Sequence, residues 1–130
     1  MTEPSAEVDR LASAVVDAAM EVHRTLGAGF LESVYQKALE TELRFRAVPY
    51  EREWPIALSY KGEAVGEARL DFMVGGKLVV ELKAVETLHP IHHAQVLNYL
   101  KATGHELGLL INFNVPLLKD GGIKRVVLTR

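Results

Sequence analysis

Asp71, Glu81 and Lys83 are the residues whose types and spacing best suit chemistry in this sequence. They lie in A-R-L-D-F-M-V-G-G-K-L-V-V-E-L-K, Ala68 to Lys83, which reads as two strands joined at a diglycine. Glu81 and Lys83 are two apart, so on a strand they project from one face roughly 6–7 Å apart. Whether Asp71 joins them depends on register. A two-residue turn at Gly75 and Gly76 would pair Asp71 with Val80 and mix charged with aliphatic side chains on both faces. A three-residue connection of Gly75, Gly76 and Lys77 instead pairs Val74 with Leu78, Phe72 with Val80, Asp71 with Glu81 and Leu70 with Leu82. Leu70, Phe72, Val74, Leu78, Val80 and Leu82 then form a wholly apolar face, and Arg69, Asp71, Met73, Val79, Glu81 and Lys83 the other. This second register is the expected one.

Two carboxylates held opposite one another raise each other's pKa unless something positive sits between them. A hard divalent cation with oxygen ligands, Mg²⁺ or Mn²⁺, meets that need. Such an ion would polarise a phosphodiester and activate water, with Lys83 orienting the water or balancing charge in the transition state. The competing interpretation is a cross-strand charge cluster without metal, because D-x9-E-x-K alone is a common pattern.

Glu32 precedes Tyr35 by three positions and Leu39 by seven, which sets it on the inward stripe of its helix. It reads equally well as an inward functional carboxylate or as a complement to the helix dipole. Tyr35 reads as core. His92, Gln95 and Tyr99 share a helix face at i, i+3 and i+7, where Gln95 could orient water or phosphate. His89, His92 and His93 lack the H-x-x-x-H spacing of a zinc pair and read as solvated or hydrogen-bonding side chains. Lys37, Arg44, Arg46 and Arg52 bracket the second helix, and Lys119, Lys124, Arg125 and Arg130 gather near the C-terminal end. Either group could grip phosphates, although scattered positive charge more often forms a solvated surface.

The elements that must position these residues follow from periodicity. Ser5 is a candidate N-cap, and Val8, Leu11, Ala12, Val15, Ala19, Val22 and Leu26 recur at helical spacing up to Gly27 and Gly29. A second helix is expected from about Phe30 to Arg46, with Leu31, Tyr35, Leu39 and Leu43 as its stripe. From Glu53 the period becomes two: Trp54, Ile56, Leu58 and Tyr60 alternate with Pro55, Ala57 and Ser59, and Pro55 favours an edge position. Further strands are expected over 67–74 and 78–83, then a helix from Pro90 to Ala102 stopped by Gly104. Leu107 to Phe113 lacks polar alternation and reads as a central strand covered on both faces. Ile123 to Leu128 makes the last strand, after a loop from Asn114 to Gly122. The order is ααβββαββ.

The chain has 130 residues, 48% of them hydrophobic and 25% charged, which suits one compact domain, 1–130, rather than disorder. No apolar run reaches membrane-spanning length, and Met1 to Arg10 is polar and acidic, so a cytoplasmic protein without membrane association is expected. With no cysteine, any metal must be held by oxygen or imidazole. The formal charge of −2 does not favour nucleic-acid binding unless charge is concentrated locally.

G-F-L-E-S-V-Y, Gly29 to Tyr35, with the preceding E-V-H-R-T-L-G-A, closely resembles the signature of the GxxExxY protein family. R-L-D-F around Asp71, V-V-E-L-K around Glu81 and Lys83, A-Q-V-L-N-Y-L-K-A-T-G from Ala94 and L-G-L-L-I-N-F from Leu107 resemble the same family in order. That family is placed in the PD-(D/E)XK nuclease superfamily. The resemblance implies a restriction-endonuclease-like core, a mixed β-sheet flanked by helices in an α/β fold. It would make Asp71 and Glu81 metal ligands, Lys83 the catalytic lysine, Glu32 an accessory acid and Gln95 the helix-borne polar residue. Leu70 stands where the superfamily name has proline, which leaves the ligand Asp71 intact.

The expected function is therefore a Mg²⁺- or Mn²⁺-dependent nuclease hydrolysing phosphodiester bonds of nucleic acid, DNA before RNA. The alternative is a non-catalytic nucleic-acid-binding or protein-interaction module on the same fold, since a scaffold does not prove turnover. One minimal domain with little excess positive charge would need a second copy or another protein to hold a duplex, which makes a homodimer one expectation.

Overall fold

A computed structural model describes residues 4–129. The elements run α1 (Ala6–Leu26), α2 (Glu32–Phe45), β1 (Tyr50–Tyr60), β2 (Glu63–Val74), β3 (Leu78–Lys83), α3 (Pro90–Thr103), β4 (Leu107–Asn112) and β5 (Ile123–Val127). The order is ααβββαββ, as the periodicity predicts.

Ser5 caps α1, its side chain accepting from the Val8 N–H, and Glu7 and Asp9 complement the positive end of the helix. The helix buries Val8, Ala12, Val15, Ala19 and Val22, and Gly27 ends it at φ 71. The stripe of α2 is shorter than its spacing implies. Tyr35, Leu39 and Leu43 are buried, but the helix begins at Glu32, and Leu31 precedes it, extended and 76% exposed. Being outside the helix, Leu31 does not share the stripe's direction.

The five strands form one sheet in the order β1-β2-β3-β4-β5. All neighbours are antiparallel except β3 and β4, which are parallel and joined through α3. The sheet is thus mixed. One apolar cluster unites α1 and α2 with Phe72, Val74, Leu78, Val80, Leu82, Leu107, Leu109 and Ile111. A second unites Val96 and Leu100 of α3 with Ile56, Leu70, Met73, Val79, Leu110 and Val126. Helices therefore cover both faces, and every residue of β4 is buried, as its unbroken apolar run requires. Among the described residues no helix is long and apolar enough to cross a membrane.

Gly75, Gly76 and Lys77 connect β2 to β3. The Lys77 N–H donates to the Val74 carbonyl, and Val74 pairs with Leu78, Met73 with Val79 and Phe72 with Val80. Both glycines have positive φ, and a Cβ on Gly75 would lie 2.7 Å from a methyl of Leu11.

Two expectations fail beyond this point. The ladder ends at Phe72 and Val80, so Asp71 and Glu81, and Leu70 and Leu82, do not pair as backbone partners. Nor do the faces separate as alternation predicts, because Leu70 packs in the α3 cluster while Phe72 and Leu82 pack against α1 and α2. The cause is a kink shared with β1. The β1–β2 register skips the position where Glu53 faces Asp71, and Glu53 has φ 51. On β1, Tyr50 packs in the α1–α2 cluster and Trp54 in the α3 cluster, so both strands change sides at the same level.

β1 is an edge strand, as Pro55 implies, but of the alternating set Trp54, Ile56, Leu58 and Tyr60 only Ile56 is buried. Leu58 and Tyr60 belong to the distal part of a hairpin that is longer than expected, since β2 starts at Glu63 rather than Glu67. Leu58 there lines an open cleft toward α3 and Tyr60 is 63% exposed, so neither is covered by a helix.

Candidate active site

Asp71 sits at the kink and takes part in neither neighbouring ladder. Side chains replace the missing backbone bonds. The Asp71 N–H donates to Oε1 of Glu81 at 2.8 Å, and the Leu82 N–H donates to Oδ2 of Asp71, also at 2.8 Å. Each carboxylate satisfies a backbone donor freed where the strands part, as buried N–H groups require. The two carboxyls lie close enough to share a proton.

Glu81 is 4% exposed. Burial, with the charge of Asp71 added, pushes its pKa up to about 8. Burial also raises Asp71, against the opposing effect of the Leu82 N–H and the charge of Lys83. The pair is short of positive charge. None of the ion pairs among the described residues includes Lys83, yet its charge acts on Asp71, Glu81 and Glu32.

Glu32, the first residue of α2, is half-buried and faces the same centre; burial and then the charge of Asp71 raise its pKa. The bridge between them is Gln36, which the spacing argument did not single out. Its Nε2 donates to Oε2 of Glu32 at 2.9 Å and to Oδ1 of Asp71 at 3.2 Å. Glu32, Gln36 and Glu40 recur every four residues beside the apolar stripe of Tyr35, Leu39 and Leu43, a polar row that was legible as a second helical stripe. Glu40 accepts from Arg52 at 3.2 Å and from the Tyr50 hydroxyl at 3.1 Å, continuing the network to β1.

Tyr35 is core, as expected, and also ties down the turn before α2. Its hydroxyl donates to the Gly27 carbonyl at 2.6 Å and accepts from the Phe30 N–H at 3.2 Å, while its ring stacks on Phe113 at 4.6 Å. Gly29, at φ 107, permits that turn. In G-F-L-E-S-V-Y the glycine shapes the entry, the tyrosine clamps it, and the glutamate is thereby aimed at Asp71.

Asn112 is a second residue not foreseen, although an amide closing an apolar run was its signal. It pairs with Lys83 across β3 and β4 and is 2% exposed. Its side chain accepts from the Val85 N–H at 3.0 Å and donates to the Val85 carbonyl at 2.9 Å, which fixes the chain as it leaves Lys83.

Gln95 is placed differently from the carboxylates. With His92 and Tyr99 it lines a cleft of about 600 Å³ that Lys83 also borders, and its Nε2 donates to the Tyr99 hydroxyl at 3.1 Å. Asp71 and Glu81 are not in the cleft wall, but their charges, after burial, help to raise the Tyr99 pKa. His92 Nδ1 accepts from the His89 N–H at 3.0 Å and so helps to cap α3, the hydrogen-bonding role expected of this histidine. Of the basic residues around α2, Lys37 and Arg52 pair with Glu40, and Arg46 pairs with Glu42. Arg125 pairs with Asp9, and Arg130 lies outside the described residues.

Among the described residues no three His, Cys, Asp or Glu side chains converge as a metal cage. Two adjacent carboxylates that repel one another, one buried and one half-buried, nevertheless fit Mg²⁺ or Mn²⁺, because Mg²⁺ commonly takes one or two protein carboxylates and completes its shell with water and substrate phosphate.

Comparison with known proteins bears on the fold and the family. No curated protein matches the sequence. The fold resembles that of SSO0001, known from a crystal structure, with a TM-score of 0.56 at 19% identity over 75% of this chain and 50% of that one. This chain thus spans about half the length of that protein. An alkaline exonuclease, LHK-Exo from Laribacter hongkongensis, aligns with a TM-score of 0.45 at 16% identity over 99% of this chain and 73% of that one. A family model described as the PD-(D/E)XK nuclease superfamily matches residues 9–126. A chain so matched over most of its length, with the acidic pair and lysine on adjacent strands of a mixed sheet, belongs to the PD-(D/E)XK nuclease superfamily.

Proposed function

We propose that this chain is a Mg²⁺- or Mn²⁺-dependent nuclease that hydrolyses phosphodiester bonds, acting on DNA in preference to RNA. One observation carries the reading. Two crowded carboxyls, the half-buried Asp71 and the buried Glu81, meet where the β2–β3 ladder opens, and Glu81 is driven up to about 8. A pair of this kind costs the fold stability unless a cation joins it. Asp71 and Glu81 would hold that cation. When bound, the ion supplies charge stabilisation at the phosphodiester and lowers the pKa of water.

Lys83 balances the charge that develops on the phosphate and orients the attacking water. Glu32, with its raised pKa, acts as an accessory acid that can hold a proton near Asp71. Gln36 keeps Glu32 and Asp71 in register. Gln95 contacts the substrate from α3. The GxxExxY resemblance supports this assignment of roles, and with it we read the chain as one cytoplasmic domain that works as a homodimer on nucleic acid.

The test is cleavage of labelled DNA with Mg²⁺, with Mn²⁺ and with chelator, using Lys83→Ala as control. Divalent-dependent cleavage abolished by the substitution is expected, and cleavage indifferent to it would remove this mechanism. A second reading, a non-catalytic nucleic-acid-binding or protein-interaction module, is favoured by the N–H donors of Leu82, Gln36 and Asp71, which occupy acceptor sites on both carboxylates and tie them into the fold. Tight oligonucleotide binding without turnover would support it.

A further inference from the structure

The cleft beside the candidate active site is mostly apolar, and beyond Lys83 and Gln95 its wall takes no part in the chemistry above. It measures about 600 Å³, within the range of small-molecule sites, and lies between the β1–β2 hairpin and α3. Lys83 is the sole Lys, Arg, Asp or Glu in its wall, so the cleft opens directly onto the candidate catalytic lysine. Leu58 and Ile91 line it while 37% and 70% exposed, and Tyr99 presents an aromatic ring whose hydroxyl is held by Gln95. Asn98, also in the wall, makes no side-chain hydrogen bond among the described residues, leaving its amide free to meet a polar edge.

We infer that this cleft receives an unpaired nucleobase of the substrate strand, next to the phosphate held at Asp71, Glu81 and Lys83. The substrate is then single-stranded or frayed nucleic acid rather than an intact duplex. The inference deepens the nuclease reading and rests on it. Aliphatic and aromatic side chains suit the faces of a splayed base, and the amides of Gln95 and Asn98 suit its edges. A duplex, whose major groove alone is about 12 Å wide, would straddle such a cleft rather than enter it.

Charge points the same way. On β1, β2 and α2, Lys37 and Arg52 pair with Glu40 and Arg69 with Glu67, which partly neutralises these three as grips for a duplex backbone, while Arg44 makes no ion pair among the described residues. Where phosphate contacts are few, affinity must come from the bases, through stacking on aromatic side chains.

Fluorescence anisotropy on the full chain, with chelator present to prevent turnover, tests this. Three probes of equal length are compared: a single-stranded DNA, the same strand carrying abasic sites, and its blunt duplex. Single-stranded DNA should bind about tenfold tighter than either of the others. Ile91→Ser, at an exposed position that leaves the fold intact, and Tyr99→Ala should lower single-strand affinity toward the abasic level and leave abasic binding unchanged. Equal affinity for normal and abasic strands, a preference for the duplex, or no binding to any probe would each overturn the inference; the last would assign the cleft to another ligand, such as an apolar peptide. Cleavage with Mg²⁺ separates the two proposals. A chain that cleaves without distinguishing abasic strands sinks this inference alone, whereas one that binds bases and never cleaves sinks the nuclease reading alone.

Discussion

The two ends of the β2–β3 hairpin are built on opposite principles. Near the diglycine, Phe72, Met73 and Val74 pair in strict register with Val80, Val79 and Leu78, and all six side chains are fully buried. One residue further along β2, Asp71 leaves both ladders, its neighbour Leu70 changes sides, and carboxylates take over the backbone donors. At the first end every group is satisfied by burial and regular bonding. At the second, hydrogen bonding is preserved but two acids are left crowded out of water. The closed end supplies stability, and the open end gives some of it up to hold groups that can react.

The largest effect that would break this contrast is at the closed end. Phe72→Ala should cost about 3–5 kcal/mol, enough to unfold much of the population, and urea denaturation followed by circular dichroism measures it. At the open end Lys83→Ala should leave the denaturation midpoint nearly unchanged and lower kcat/KM for DNA cleavage by about 10²–10³-fold. A large loss of stability in that variant would mean that Lys83 supports the fold rather than the reaction.

Glu81 sharpens the contrast through pH. Its folded pKa of about 8 lies above the ordinary carboxyl value of 4.5, so the native state favours the protonated form. The stability it contributes is complete below about pH 4.5 and is lost as pH rises through 8, a change on the order of a few kcal/mol. Glu81→Gln should therefore match the parent at pH 4.5 and exceed it in stability at pH 8. Thermal unfolding at both values checks this, and equal melting temperatures at pH 8 would contradict the burial argument. Mg²⁺ should raise the melting temperature of the parent more at pH 8 than at pH 5, since protonation competes with the ion.

The smallest effect concerns the entry to α2. Tyr35→Phe keeps the stacked ring and removes the hydroxyl that bonds Gly27 and Phe30, which should cost about 1–2 kcal/mol. If Glu32 is aimed by this clamp, kcat should also fall several-fold while the pH profile keeps its shape. A change in stability with no change in kcat would separate Glu32 from the reaction.

Much of the fold could be read from local pattern. Ser5 announces α1, Pro55 an edge strand, the unbroken run from Leu107 a strand covered on both faces, and the diglycine with Lys77 the hairpin connection. Leu31 misled because helical spacing says nothing about where the helix begins. Leu58 and Tyr60 lie on a strand, as their alternation says, but alternation does not say what covers it. Gln36 and Asn112 were passed over because the worth of an amide depends on which backbone or carboxylate it meets.

Asp71, Glu81 and Lys83 were recognisable by residue type and spacing, and so was the hairpin that brings them near one another, because side-chain period and turn length are local properties of the chain. Only the tertiary structure decided how they meet. The shared kink of β1 and β2 at Glu53 and Asp71 parts the ladder, turns Leu70 toward α3 and leaves Asp71 to reach β3 with its side chain. Two strands had to be paired and covered by helices on both faces before that irregularity could exist. The burial that raises Glu81 comes from the same packing, and burial is a property of the assembled layers and of no segment within them.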